Sequence, residues 1–357
     1  MPDDDPCDQQ EFVPCVTLNN GVKMPRMNYG VYGASLGWYD YKPKAKKGVM
    51  DWLKMGGNGI DTAQLYEDLV EVGEAMRESG ISREKIFLET KCSGAMGYYA
   101  IVECLQDSLV MLKTDYVDLL LIHFPTVPTP ECMLHMPECK KGPSRRPSTP
   151  QERRESWDAM ELIYKSGKAR AIGLSDYSLD LLKETVEHAR VPPAVLQVIW
   201  NPVLHDDALL RYCQEKGIQL QAWGAVGGLR QMYRNILGDP VISSIAAKHS
   251  TTTAEVALAW TLQKGVTIAI GTANPAHMES DAHAFKLTLS RDEMTQIQQI
   301  NPKGFKISGS VEERAPAAAA HPALVIGVVA AAAVFVARAA VAKVRDVYAK
   351  RMGSTLI

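Results

Sequence analysis

The stretch GIDTAQLY, residues 59–66, combines a strand signal with two chemically active side chains. Apolar character runs from Asn58 to Ile60 and stops at Asp61, small residues follow, and Tyr66 stands five positions after the acid. The pattern predicts a short strand that ends in a buried carboxylate and a loop that presents a phenol. A carboxylate and a phenol this close serve chemistry when a cation lies between them, so the remaining strands should supply one.

Strand and helix patterns alternate outward from this stretch. Runs typical of strands occupy residues 27–32, 58–61, 86–91, 116–123, 168–174, 195–199, 218–223 and 266–270. Runs typical of helices occupy residues 44–55, 67–79, 98–112, 151–166, 179–189, 206–216, 240–249, 253–264, 275–285 and 291–300. Eight β-α units over about 270 residues predict an α/β fold, the (β/α)8 TIM barrel, with two extra helices. A Rossmann fold is disfavoured because no G-x-G-x-x-G follows the first strand.

The segments outside these units have their own signals. Residues 1–12 are interpreted as a disordered acidic arm, and Asn19-Asn20-Gly21 predicts the turn of an N-terminal β-hairpin. Residues 124–150 form a loop far longer than usual, which predicts a functional lid or a disordered insertion. Within it, the stretch RRPS at 145–148 resembles a basic phosphorylation context, although a solvated loop is the favoured interpretation.

Composition limits the function classes. The 357 residues are 46% hydrophobic and 22% charged, which is typical of a globular protein, and the net charge of −2 gives no case for nucleic acid. The seven cysteines form no C-x-x-C pair, so we expect free thiols in a reducing compartment and no metal site. The acidic start is neither a secretory signal nor a transit peptide.

Polar residues that close apolar strands are the candidates for an active site, because barrel sites lie at the carboxyl ends of the strands. Lys91 closes the third strand and supplies the missing cation, which Asp61 can balance. The ammonium is expected to lower the pKa of Tyr66. His123, which closes the fourth strand, can orient a substrate oxygen. Together these groups predict protonation of a carbonyl oxygen by Tyr66, and the matching hydride implies a nicotinamide cofactor.

Four motifs, GIDTAQLYEDLVEVGEAM, FLETK, DLLLIHFP and GKARAIGLSDYS, occur in an order and spacing that resemble the aldo-keto reductases. The resemblance covers residues 13–302 and extends to prostaglandin F synthase-like and aldose reductase-like members. It implies a barrel that reduces an aldehyde or ketone to an alcohol with NADPH or NADH. It also implies that Asp61, Tyr66, Lys91 and His123 are the catalytic residues, with Tyr66 as the proton donor and with His123 and Tyr66 contacting the substrate.

The resemblance further implies a set of cofactor contacts. They are Gly30, Val31, Tyr32, Asp61, Ser175, Asp176, Gln197, Trp223, Thr272 and His277. Several positions depart from the usual pattern. Asp176 occupies a position that is usually asparagine, and Trp223 occupies one that is usually tyrosine. Gly271 and His277 replace two cations that bind a 2′-phosphate. We therefore hypothesise relaxed or NADH-leaning cofactor use. The alternative function is a non-catalytic or cofactor-impaired barrel that acts as a membrane-attached binding or regulatory protein.

The tail departs from the family pattern. Residues 303–322 are interpreted as a C-terminal loop and linker, residues 323–342 as a transmembrane helix and residues 343–357 as a basic tail. Residues 323–337 contain no charged side chain, and the apolar run approaches the length that spans a bilayer. We expect a monomeric cytoplasmic barrel, attached by this hydrophobic helix to an intracellular membrane, that acts on a small-molecule carbonyl substrate. An Ala-rich helix that packs on the barrel or on a second copy is the alternative.

Overall fold

The predicted strands close into one parallel barrel. The structure is a computed structural model that describes residues 7, 12–32, 41–129, 144–227 and 236–300. Its strands are β1 (Cys15–Thr17), β2 (Lys23–Pro25), β3 (Met27–Gly30), β4 (Gly59–Asp61), β5 (Phe87–Cys92), β6 (Val117–Ile122), β7 (Thr126–Pro128), β8 (Arg145–Pro147), β9 (Ala169–Ser175), β10 (Val195–Ile199), β11 (Gln219–Trp223) and β12 (Thr267–Ile270). The closed order is β3-β4-β5-β6-β9-β10-β11-β12, and β12 pairs with β3. The prediction of a (β/α)8 barrel is confirmed.

Helices lie at the places that the sequence predicted. They are α1 (Tyr41–Lys54), α2 (Leu69–Glu78), α3 (Tyr98–Leu112), α4 (Pro150–Lys165), α5 (Leu179–His188), α6 (Asp207–Lys216), α7 (Pro240–His249), α8 (Thr253–Gln263), α9 (Pro275–His283) and α10 (Arg291–Gln298). Of these, α7 and α10 are additional to the eight β-α units. The strands β5 and β6 are buried at every position because helices cover their outer faces and side chains fill the interior.

The N-terminal hairpin closes one end of the barrel. β1 pairs with β2 in antiparallel fashion around a turn in which Gly21 has a φ of 87°. The turn side chains of Asn19 and Asn20 donate to the carbonyl oxygens of Pro193 and Arg170, at 2.9 Å each. These contacts hold the hairpin across the amino ends of the strands, so the carboxyl ends are left as the accessible rim.

Two predictions, one about the 124–150 region and one about the cysteines, need correction. The 124–150 region contains a two-stranded sheet, β7 with β8, so its ends are ordered; residues 130–143 lie outside the described part of the chain. Disulfides join Cys7 to Cys15 and Cys92 to Cys104, so the expectation of free thiols is wrong for these four residues. Sequence spacing did not indicate the second pair, because Cys92 and Cys104 meet only where α3 packs on β5.

Of the predicted arm, Cys7 and Phe12 are described, and the ring of Phe12 packs edge-on against Trp52 at 5.6 Å. The predicted linker, transmembrane helix and basic tail of residues 303–357 lie outside the described residues. Among the residues that are described, no helix is long and apolar enough to cross a membrane.

Candidate active site

A buried ion pair lies at the carboxyl ends of β4 and β5. Lys91 is fully buried, and its Nζ forms an ion pair with Oδ1 of Asp61 and donates to the Thr62 carbonyl oxygen at 3.1 Å. Asp61 is itself only 4% exposed. Asp61 therefore supplies the charge partner that a buried ammonium needs, as the sequence predicted.

The phenol of Tyr66 reaches this ion pair from the loop after β4. Tyr66 ends a short 3-10 turn, residues 64–66, which stops at Glu67 in the left-handed region with a φ of 56°. The Lys91 ammonium donates to the Tyr66 hydroxyl at 3.4 Å. The loop and the two strands thus place a phenol, an ammonium and a carboxylate next to one another in space, with the ammonium between the other two groups.

The predicted direction of the Tyr66 pKa shift is wrong. Burial raises the pKa of Tyr66 well above 10, and the negative charges of Asp61 and Asp68 raise it further, as does Glu89 when it is ionised. Burial is the largest cause, and sequence spacing showed neither the burial of this phenol nor the nearby Asp68 and Glu89. The phenol therefore holds its proton at neutral pH, which suits a proton donor that must start protonated.

His123 follows β6 and completes the cluster. Its backbone N–H donates to the Cys92 carbonyl oxygen at 2.8 Å, and its ring lies edge-on to the Tyr66 ring, with 5.5 Å between the centroids. Burial lowers the pKa of His123 well below 6.5, and the charges of Lys91 and Arg145 lower it further. The imidazole is therefore neutral. Its Nδ1 is buried and finds no hydrogen-bond partner in the described part of the chain.

Arg145 belongs to this neighbourhood, although the sequence suggested a solvated loop. Its guanidinium donates to Thr126 Oγ1 at 2.7 Å and to the Ser93 carbonyl oxygen, and it lies 4.7 Å from the centroid of the Phe124 ring. Phe124 in turn stacks on His123, with the ring centroids 4.2 Å apart. Burial lowers the pKa of Arg145 to about 10. The solvated interpretation is wrong for Arg145, because β8 folds this arginine back against the end of β5, whereas the neighbouring Arg146 is exposed.

The predicted cofactor residues on β9 and β11 are joined to each other. Trp223 Nε1 donates to Asp176 Oδ1 at 3.1 Å, and Asp176 has a left-handed φ of 56°. The backbone N–H of Asp176 donates to the Gln197 carbonyl oxygen at 2.9 Å. The side chains of Asp176 and Trp223 are therefore placed as a pair at the rim, and an indole can make this contact because it carries an N–H donor.

The β3 and β12 ends approach each other closely. A Cβ atom at position 271 would collide with the carbonyl oxygen of Gly30, so no side chain fits at Gly271 without a backbone shift. Thr272 is partly buried and His277 is exposed on α9. Val31 is buried beside Gly30, whereas Tyr32 is 53% exposed and lies 4.8 Å from the Tyr66 ring. A lysine at position 271 would therefore require the backbone of β3 or β12 to move.

A second carboxyl group lies inside the barrel and was not predicted from the sequence. Glu89 is fully buried two residues before Lys91, and it accepts hydrogen bonds from Asn28, Gln197 and Gln221. Gln197, predicted to bind cofactor, also donates from Nε2 to Asp61 Oδ2 at 2.9 Å. The polar alternation of Glu89 and Lys91 in FLETK was the available signal, because residues two apart in a strand face the same side.

A parallel eight-stranded barrel with an aspartate, a tyrosine, a lysine and a histidine gathered at one rim has the architecture of a barrel oxidoreductase. Residues 27–302 match the model of the Aldo/keto reductase family, and the chain belongs to that family. NAD(P)H-dependent oxidoreduction is the corresponding class of activity.

Relatives from distant organisms support this assignment. The chain is 33% identical over 287 residues to a glyoxal reductase of Bacillus subtilis, a match that covers 80% of this chain and 92% of that protein. It is 32% identical over 299 residues to a glycerol 2-dehydrogenase (NADP(+)) of Saccharomyces cerevisiae, covering 82% and 92% of the two chains. The aldo/keto reductase from Brucella melitensis superposes with a TM-score of 0.68 at 30% identity and covers 81% of this chain and 100% of that one.

The fold is also that of a cofactor-bound structure. The Bombyx mori aldo-keto reductase in complex with NADP superposes with a TM-score of 0.74 at 24% identity, covering 84% of this chain and 96% of that one.

Proposed function

We propose that this protein reduces an aldehyde or ketone to an alcohol, with Tyr66 as the proton donor. The observation that carries the proposal is the Lys91 ammonium, which lies between the Asp61 carboxylate and the Tyr66 hydroxyl. A hydroxyl that loses a proton needs a nearby cation to stabilise the phenolate that forms, and the 3.4 Å contact supplies one. The raised pKa of Tyr66 is compatible with this role, since the donor must hold its proton until the carbonyl oxygen gains charge.

The nicotinamide cofactor supplies the hydride when it is bound. The rim residues fit such a group: Trp223 offers a flat indole face whose orientation is set by its bond to Asp176. The close approach of Gly30 and Gly271 leaves bare backbone at the ends of β3 and β12. The amide nitrogen of Gln197 already donates to Asp61 and Glu89, so Gln197 would line the cofactor site without donating from that nitrogen. Thr272 precedes α9, and His277 lies in the first turn of this helix.

The other groups act on the carbonyl oxygen and on the proton. His123 is neutral, so one ring nitrogen carries a hydrogen that can be donated to the substrate oxygen without a competing positive charge. Asp61 holds Lys91 in place, and Lys91 stabilises the Tyr66 oxygen as its proton leaves. General acid assistance of this kind contributes about 10²–10⁴-fold to a rate.

The test is oxidation of NADPH and of NADH against a panel of aldehydes and ketones, with Tyr66→Phe as the matched variant. We expect turnover by the wild type and a loss of about 10²–10⁴-fold in kcat/KM for Tyr66→Phe. The variant should remain folded because Lys91 keeps Asp61 and the Thr62 carbonyl oxygen as partners. Equal turnover by Tyr66→Phe and wild type would contradict the assignment of the proton donor.

A barrel with impaired cofactor binding is the second candidate. Gly271 favours it because that position cannot carry a cation without moving the backbone of β3 or β12. Quenching of nicotinamide fluorescence on mixing separates the two functions. Saturable quenching at micromolar protein supports the reductase, and its absence with both cofactors supports a binding or regulatory barrel. Membrane attachment through residues 323–342 would accompany either function.

A further inference from the structure

Glu89 occupies an unusual place for a carboxyl group. It faces the barrel interior on the same side of β5 as Lys91, and it is fully buried. Its neighbours are amides from three other strands: Asn28 on β3, Gln197 on β10 and Gln221 on β11. Interior layers of such barrels are usually filled by branched apolar side chains. The polar layer next to the Asp61–Lys91 ion pair therefore departs from the usual filling of a barrel.

The hydrogen bonds of this layer connect Glu89 to Asp61 through one atom. Gln197 Nε2 lies 2.8 Å from Glu89 Oε1, 2.9 Å from Asp61 Oδ2 and 2.8 Å from Gln221 Oε1. An amide nitrogen carries two hydrogens, so it cannot donate to three acceptors at once. Asp61 and Glu89 consequently compete for Gln197, and the charge on Glu89 decides how strongly it competes.

The charges of the layer do not balance if both acids are ionised. The titratable groups that surround Glu89 are Asp61 from β4, Lys91 from β5 and Tyr66 from the following loop. Asn28, Gln197 and Gln221 carry no charge, and the β6 residue in register with Glu89 is Leu119. Two carboxylates and one ammonium leave one uncompensated negative charge in a buried site, whereas one added proton makes the group neutral.

Glu89 is the acid that takes this proton. Asp61 is paired with Lys91, while Glu89 receives only neutral amide donors. Burial and the negative charge of Asp61 raise the pKa of Glu89 to about 8. The neutral acid can donate its proton to Asn28, because a flip of the Asn28 amide exchanges its nitrogen for its oxygen, and the oxygen is an acceptor.

We propose that Glu89 is a positioning residue that stores a proton inside the barrel and, through Gln197, controls how firmly Asp61 holds Lys91 beside Tyr66. This role rests on the proposed reductase function. With Glu89 neutral, Gln197 is free to donate to Asp61, and Lys91 has a single carboxylate partner. Once Glu89 releases its proton to solvent, a second carboxylate competes for both Gln197 and Lys91, and the contact of Lys91 with Tyr66 weakens.

The stored proton can be measured without any enzymatic activity. In the folded protein Glu89 keeps its proton up to about pH 8, whereas an unfolded glutamate loses it at about pH 4.3. The folded state therefore binds one more proton between these values, and its stability falls as the pH rises through the window. Glu89→Gln removes this dependence. We expect the ratio of the unfolding equilibrium constants, wild type over variant, to increase about tenfold per pH unit between about pH 5 and about pH 8. A ratio that stays constant would overturn the stored proton.

The positioning role has a separate readout in the Tyr66 phenol. Ionised Glu89 raises the pKa of Tyr66, so the phenol should titrate at a lower pH in Glu89→Gln than in the wild type. Ultraviolet difference absorbance, with Tyr66→Phe as the blank for each background, isolates this one tyrosine. An unchanged titration of Tyr66 would show that Glu89 acts on stability alone and would overturn the positioning role.

Activity provides the third readout and separates this proposal from the reductase itself. We expect kcat/KM of the wild type to decline as the pH passes about 8, and the decline to shift upward by at least about one pH unit in Glu89→Gln. The matched control is Asp107→Asn, which removes a partly buried carboxyl on the outer helix α3. This variant should retain the wild-type pH profile. Absence of turnover in the wild type and in all variants would refute the reductase function. The stability and phenol titrations would still test the role of Glu89.

A second variant protects the test against misfolding of Glu89→Gln. Glu89→Asp keeps the acid but withdraws it from Gln197 by one methylene group. It should preserve the loss of stability with rising pH and weaken the effect on Tyr66. Retention of the full wild-type effect on Tyr66 by Glu89→Asp would contradict transmission through Gln197.

Discussion

The Asp61–Lys91 ion pair can be tested by removing one charge without changing the shape of the side chain. Asp61→Asn keeps the size of the residue and deletes the carboxylate. Lys91 is fully buried, so bulk water does not solvate its ammonium. In the variant its Nζ keeps only uncharged acceptors, which are the new amide oxygen at position 61, the Thr62 carbonyl oxygen at 3.1 Å and the Tyr66 hydroxyl at 3.4 Å.

The expected loss follows from this burial. Removing one member of a buried ion pair costs about 3–5 kcal/mol of unfolding free energy. Glu89 limits the loss, because removal of the Asp61 charge lowers the pKa of Glu89 and lets this carboxyl ionise and replace the missing charge in part. We therefore expect the lower end of the range, about 3 kcal/mol.

The measurement is a double-mutant cycle by denaturant unfolding at neutral pH. Asp61→Asn and Lys91→Met each leave one uncompensated charge, while the double variant removes both and should recover most of the stability. We expect a coupling energy of at least about 2 kcal/mol between the two positions. Lys47→Met breaks the exposed pair with Asp51 and is the matched control, with little expected change. Additive losses within about 0.5 kcal/mol would refute a stabilising charge pair.

Four further predictions address other parts of the chain. The His123 imidazole should stay neutral at pH 6 in nuclear magnetic resonance titrations, because burial and two cations lower its pKa, and a midpoint near 6.5 would contradict this. Arg145→Met should raise the pKa of His123 by removing one of those cations; an unchanged midpoint would argue against their proximity. The Kd values for NADPH and NADH should differ by less than about 100-fold, since Gly271 and His277 provide no paired cations for a 2′-phosphate. Deleting residues 318–357 should release the protein from cell membranes, and a full-length chain that is soluble without detergent would exclude the anchor.

The order of strands and helices could be predicted from the sequence because each element carries its own periodicity. Every barrel strand and helix lies at its predicted place, and the N-terminal hairpin was indicated by its Asn-Gly turn. The meeting of Asp61, Lys91 and His123 was also predictable, because each closes a parallel strand and a closed barrel has one carboxyl rim.

Contacts between distant segments were not predictable in the same way. Arg145 belongs to a stretch that looks solvated, and only the pairing of β8 with β7 brings it to Phe124. Cys92 and Cys104 have no disulfide spacing, and their bond depends on how α3 packs on β5. Glu89 looked like an ordinary polar residue beside a lysine, because its partners come from three other strands.

The direction of the Tyr66 pKa shift depends on burial and on charges that are distant in the sequence. The sequence alone determined the barrel and the four residues at its rim, since period-two and helical patterns and strand-end positions are local properties. Only the tertiary structure decided the protonation states, because the pKa of a buried group depends on every charge within a few ångströms and on the water that folding removes. Burial and the carboxylates of Asp61 and Asp68 keep the proton on Tyr66, and Glu89 adds to their effect when it is ionised.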